Sequence, residues 1–170
     1  MLPESERLPV DNANFWRGRI YAAFATGKDL HTMVYNIEYD KWRSIHNETT
    51  GILKRYIKPG EKLLDAGCAY GPLYDCIRRP ADYWGVDISP DLIEIGRIRH
   101  PDIRLEVGDL RQLRFEDKFF DLVVCRSVET MIKNNLSDAY WEEILRELRR
   151  VGKRVLLMEY GDPVVYRFAE

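Results

Sequence analysis

Apolar residues recur along this chain in two alternating patterns, short continuous runs and longer stretches spaced every three or four positions. Their alternation reads as repeating strand and helix. The runs predict five strands: one opening at Lys62 with Leu63 and Leu64, then Tyr83–Asp87, Ile103–Val107, Phe119–Cys125 and Lys153–Tyr160. Phe119 to Cys125 is apolar except for Asp121, as expected of a parallel strand buried on both faces.

The spaced stretches predict the helices. A short one carries Leu73, Tyr74, Cys76 and Ile77 and ends near Arg79-Pro80; the next has Ser89 as its cap, Pro90 at its first position and Asp91 in its first turn. Ser137 caps a long amphipathic helix with Tyr140, Trp141, Ile144, Leu145, Leu148 and Val151 on one face. Three more precede the first strand, from Asp11 or Asn12 to about Thr26 with Gly27 as its stop, from about Asp29 to Ser44, and from about Thr49 to Ile57. Met1 to Val10 lacks apolar periodicity and reads as a mobile leader. After the fifth strand, Gly161-Asp162-Pro163 suits a turn. Val164 to Phe168 suits a strand that pairs antiparallel with strand 5 or with a second subunit as a homodimer.

At 170 residues the chain suits a single domain, 1–170, with a helical part at 1–48 and an α/β core at 49–170. A net charge of −2 argues against broad electrostatic binding to nucleic acid, leaving only the local cluster Arg146, Arg149, Arg150, Lys153 and Arg154, which also suits a helix C-terminus. Cys68, Cys76 and Cys125 lack a C-x-x-C spacing and no secretory segment precedes them, so a reduced, cytoplasmic protein is expected. No apolar run approaches a membrane span. His31, His46 and His100 are too scattered to predict a metal site.

The chemistry gathers at Lys62-Leu63-Leu64-Asp65-Ala66-Gly67-Cys68-Ala69-Tyr70-Gly71-Pro72, a strand, a glycine turn and a helix start. Gly67 and Gly71 allow a tight turn and a close approach of backbone to ligand. Free amides at the helix start then face the ligand. The spacing is D-x-G-x-x-x-G rather than the G-x-G-x-x-G of dinucleotide sites, which argues against NAD.

This spacing resembles the first motif of the class I, seven-stranded S-adenosylmethionine (SAM) methyltransferases, and the resemblance extends roughly from Thr49 to Tyr160. It implies a three-layer α/β/α Rossmann-like fold of order 3-2-1-4-5, with an N-terminal helical lid and truncated C-terminal strands. It also implies that Asp65 meets the methionine amino group, that Asp87 takes both ribose hydroxyls, and that Asp109 and Leu110 read the adenine. Ala66, Gly67, Cys68, Tyr70, Gly71, Ile88, Cys125 and Arg126 complete the implied cofactor set. The end of the long helix, Glu147-Leu148-Arg149-Arg150-Val151-Gly152, resembles the small-molecule members.

Arg126 to Met131 is expected as a loop over the pocket. The implied reaction is methyl transfer from SAM to a small molecule, or to a protein side chain, by in-line displacement. Orientation alone contributes much of such catalysis. Glu129, Tyr39 and Tyr35 are the candidate catalytic residues, with Glu159 and Tyr160 as further possible bases. A catalytically degenerate SAM-binding module and an RNA methyltransferase stand as alternatives. No D-P-P-Y-type segment follows strand 4, where the chain reads Cys125-Arg126-Ser127-Val128, which counts against methylation of DNA amino groups.

Overall fold

Six strands form one sheet of order β3-β2-β1-β4-β5-β6. They are β1 (Lys62–Ala66), β2 (Asp82–Asp87), β3 (Arg104–Val107), β4 (Leu122–Arg126), β5 (Val155–Glu159) and β6 (Val165–Phe168). The first five pair in parallel in the predicted order, and β6 runs antiparallel along β5 with Met158 opposite Tyr166. The computed structural model of the chain describes residues 4–35, 37–77, 82–160 and 164–169, without the side chains of 4–12 and 33–35. The expected turn at Gly161–Pro163 and the helix stop at Arg79-Pro80 lie outside these residues.

Side chains leave each strand on alternating faces, so every strand feeds two cores. Leu64, Val123, Cys125 and Leu157 face one side, where Trp141, Ile144 and Leu148 of α7 (Asp138–Val151) cover them. Leu63, Leu122, Val124 and Leu156 face the other, against α3 (Tyr39–Tyr56), α4 (Pro72–Ile77) and α5 (Pro90–Arg99). Both predicted caps form. Ser89 Oγ accepts from the Leu92 amide at 3.3 Å and Ser137 Oγ from the Tyr140 amide at 3.1 Å.

The helices ahead of the sheet divide differently from the sequence reading. α1 (Glu4–Thr26) begins inside the expected leader. α2 stops at Tyr35 (Leu30–Tyr35), and α3 then runs unbroken through the connection expected near His46-Asn47. The reason is one buried stripe, Trp42, Ile45, Thr49, Ile52 and Leu53, whose spacing continues across those polar residues. A boundary between 48 and 49 therefore falls inside a helix, and the described residues 37 and 38 ahead of α3 are not helical. The expected loop from Arg126 to Met131 is also partly helical, as α6 (Glu129–Asn135).

Candidate active site

The turn after β1 is held open by backbone geometry. Gly67 and Gly71 have φ of +77° and +81°, and Ala69 adopts +50°, a left-handed conformation unusual for a residue with a Cβ. A Cβ at Gly67 would lie 2.5 Å from Val128 Cγ2, so the loop and the chain after β4 are in close contact. The amides of Gly67 and Cys68 donate to the Val86 carbonyl at 2.8 and 3.1 Å, tying the loop to β2. Tyr70 is fully buried and its hydroxyl meets His31 Nδ1, which joins the loop to α2.

Beside this loop opens a cleft lined mostly by apolar groups, the usual character of small-molecule sites. It lies at the carboxyl ends of β1 and β4, where the winding of the sheet reverses and open α/β folds bind ligands. Gly67, Asp87, Ile88, Asp109, Leu110 and Arg126 of the predicted cofactor set line it, together with Ala69 of the turn, which that set did not include. Asp65, Ala66, Cys68, Tyr70, Gly71 and Cys125 are not in the lining. They are buried behind it.

The three acids sit in different surroundings. Asp87 ends β2, and its oxygens accept from the Ala69 amide at 2.8 Å and the Ser89 amide at 2.9 Å. Burial raises its pKa, while these amides oppose the rise. Each oxygen keeps acceptor capacity for a ribose hydroxyl. Asp109 lines the cleft, but Arg111 folds back on it, donating from Nε at 3.0 Å and Nη2 at 2.7 Å while its guanidinium lies 4.4 Å over the Tyr140 ring.

Asp65 is 3% exposed and accepts from the Tyr83 hydroxyl at 2.5 Å. Burial pushes its pKa up to about 6 against the charge of Arg126. Its carboxylate is thus turned into the core beneath the loop rather than toward the cleft expected from its motif.

None of the candidate bases lines the cleft among the described residues. Glu129 accepts from Arg167 Nη2 at 2.7 Å and Lys133 Nζ at 3.0 Å, so it ties α6 to β6. Tyr39 is 45% exposed, its ring stacked near Trp42. The side chain of Tyr35 lies outside the described residues. Glu159 is half-buried, its pKa raised by that burial, and Tyr160 lies 5.5 Å under the Arg126 guanidinium. The lining also includes Trp16 of α1 and Tyr140 and Ile144 of α7, the last two read from sequence only as helix core. The i, i+4 pair Tyr140 and Ile144 was visible, but periodicity cannot say which part of an apolar face borders a void.

A methyltransferase-domain family model matches residues 63–154, more than half of the chain. The chain belongs to this methyltransferase family. Its similar proteins include the fatty-acid O-methyltransferase of Mycolicibacterium smegmatis, 36% identical over 55% of this chain and 35% of that one. The demethylmenaquinone methyltransferase of Thermotoga maritima is 31% identical over 88% of this chain and 64% of that one. The chain thus spans less than two thirds of the length of either relative. The crystal structure of the PH0226 protein from Pyrococcus horikoshii is 28% identical, with a TM-score of 0.63 over 69% of this chain and 57% of that one. The family core, from β1 to the end of α7, carries the glycine loop, Asp87 and Asp109 alike. Among the described residues no helix is long and apolar enough to cross a membrane.

Proposed function

We propose that the cleft binds SAM and that the chain transfers its methyl group to a small-molecule nucleophile by in-line displacement. One observation carries the reading: Asp87 at the end of β2 and Asp109 after β3 face the same cleft as the Gly67 turn, whose backbone leaves no room for a side chain. Such a cradle suits a ligand held by backbone on one side and by carboxylates at its sugar and base. The sulfonium of SAM supplies an already activated methyl group, consumed as a substrate in each turnover. The protein's task is then to orient two partners and exclude water.

A small acceptor is supported by the apolar lining and by the relatives, which are named for a fatty acid and a menaquinone precursor. RNA is disfavoured because Arg150, Lys153 and Arg154 are engaged by Glu147, Asp121 and Glu61. The reading includes a lid formed by α1 and α2, supported by Trp16 in the cleft wall. A cytoplasmic setting is supported by the three buried free thiols. A homodimer through the outer edge of β6 is supported by Val165, 64% exposed.

Calorimetry with SAM and S-adenosylhomocysteine tests the core of the proposal. Saturable binding of both is expected, and no binding at millimolar concentration to folded protein would sink it. Binding without methyl transfer to any fraction of a cell extract would leave a SAM-binding module.

A further inference from the structure

Tyr70 stands between two residues whose backbone is left-handed, Ala69 at φ +50° and Gly71 at +81°. Ala69 lines the cleft and donates its amide to Asp87 Oδ2 at 2.8 Å, so the shape of this turn decides whether the wall and the acid beside it are in place. A residue with a Cβ keeps such a conformation only when its surroundings impose it. The neighbouring side chain supplies the anchor. Tyr70 is fully buried, and its hydroxyl meets Nδ1 of His31, thirty-nine residues earlier on α2, and no other hydrogen-bond partner among the described residues.

The contact has a direction. Burial raises the pKa of the Tyr70 phenol, so the hydroxyl keeps its proton, and a buried proton of this kind needs an acceptor. Nδ1 can accept it only while the imidazole is neutral and carries its own proton on Nε2. The ring is held for this by α3, where Trp42 stacks on it at 4.0 Å between centroids and Tyr39 lies 6.1 Å away. The charged and titratable groups around it are Asp29 ahead of α2, Asp75 of α4, Arg99 of α5, His46 of α3 and the tyrosines Tyr39 and Tyr70. Asp29 is engaged by Thr32 and Asp75 by Arg99. Burial, and after it the charge of Arg99, lowers the His31 pKa from its usual 6.5, so the neutral ring is the ordinary form at neutral pH.

We propose that His31 is a positioning residue for the ligand-binding turn: through the Tyr70 hydroxyl it fixes Ala69, and with it the Asp87 end of the cleft. This rests on the reading that the cleft binds SAM. Protonating His31 turns Nδ1 into a donor and leaves the Tyr70 proton without an acceptor in a buried setting, which is costly. The link is therefore complete above pH 6.5 and is lost as pH falls through the lowered pKa of His31.

Calorimetry with S-adenosylhomocysteine on the full chain tests this. His31→Asn places an amide oxygen where Nδ1 stood, whereas His31→Leu offers no acceptor and Tyr70→Phe no hydroxyl. At about pH 8 the His31→Leu and Tyr70→Phe variants should each bind about tenfold more weakly than the parent, and the two changes combined no more weakly than either by itself. His31→Asn should stay within about threefold of the parent. Between about pH 7.5 and about pH 5 the parent should lose at least about threefold more affinity than His31→Asn, which has no imidazole to protonate. If His31→Leu fails to fold, Tyr70→Phe, which keeps the ring and its packing, decides by itself.

Three outcomes overturn the proposal. His31→Leu and Tyr70→Phe could melt earlier yet bind as the parent does, which would leave the contact as packing. Equal losses in His31→Asn and His31→Leu would show that the acceptor atom is irrelevant, and parallel pH profiles of the parent and His31→Asn would show that the imidazole charge is. Failure of S-adenosylhomocysteine to bind the unmodified protein would instead remove the methyl-transfer reading, and the role of His31 with it.

Discussion

The Ala69 amide donates to Asp87 Oδ2 over 2.8 Å, joining the glycine loop to the end of β2 across eighteen residues of chain. Asp87 therefore has two roles, bonding the loop and facing the cleft. Asp87→Ala should cost stability as well as binding, because the Ala69 and Ser89 amides lose their acceptor at about 1–3 kcal/mol for each buried group. Asp87→Asn keeps one acceptor oxygen. It should lower the melting temperature less, yet weaken S-adenosylhomocysteine by about tenfold. Paired melting and calorimetry would check this, and equal effects of both variants on both readouts would count against it.

Gly67→Ala should be damaging for two separable reasons. Its Cβ would meet Val128 Cγ2 at 2.5 Å, and φ of +77° is unfavourable for any L side chain. Adding Val128→Ala removes the clash but not the backbone strain, which is about 1–2 kcal/mol. The double variant should thus recover part of the lost melting temperature and still fall short of the parent. Full recovery would show that the turn relaxes to another conformation.

Acid stability should reflect two opposed groups. The Asp65 pKa is raised by burial from 3.8 to about 6, so the folded state holds a proton that the unfolded state has lost. Its contribution is complete below 3.8 and is lost as pH rises through about 6. His46, lowered from 6.5 to about 4 by burial and by the charge of Arg126, behaves oppositely. Its contribution is present above 6.5 and is lost as pH falls through about 4. Asp65→Asn should gain stability relative to the parent as pH rises from 4 to 7, by about 3 kcal/mol at most. His46→Gln should gain relative to the parent as pH falls over the same span, and by less, since its ring is partly exposed. Denaturant titrations across that range would read both slopes.

A chain ending at Tyr160 should lose stability and self-associate. β6 covers the outer edge of β5, Val164 is 6% exposed, and its amide donates to Glu48 Oε1 at 3.1 Å. Removing them bares the unpaired backbone of Val155–Glu159. Light scattering and thermal melts on both lengths would decide. Identical behaviour would mean that the tail contributes nothing.

The strands and both serine caps were legible in the sequence because each is a local signal: an apolar run, or a hydroxyl three residues before the amide it receives. The glycine turn was legible for the same reason, since left-handed backbone calls for glycine. α3 was misread because the polar residues His46 to Glu48 look like a connection until Trp42, Ile45, Thr49 and Ile52 are seen as one stripe. The state of the acids was not legible. Whether Asp109 is open or clasped depends on the Arg111 side chain folding back, and the fate of Glu129 depends on Arg167, thirty-eight residues away. Residue type near a strand end marks where chemistry can occur, but long-range partners decide which groups are already engaged.

The contact between Gly67 and Val128 divides the cleft into two halves with different freedom to change. On the side of the turn, the wall is main chain in unusual conformations, where almost any substitution disturbs the backbone itself. On the side of α1 and α6 it is Trp16, Met131 and Ile132, side chains borne on helices, whose exchange alters volume and shape while the turn stays as it is. Relatives with this scaffold can thus diverge in what they modify while keeping the donor half fixed, and libraries meant to retarget the protein belong on the helices.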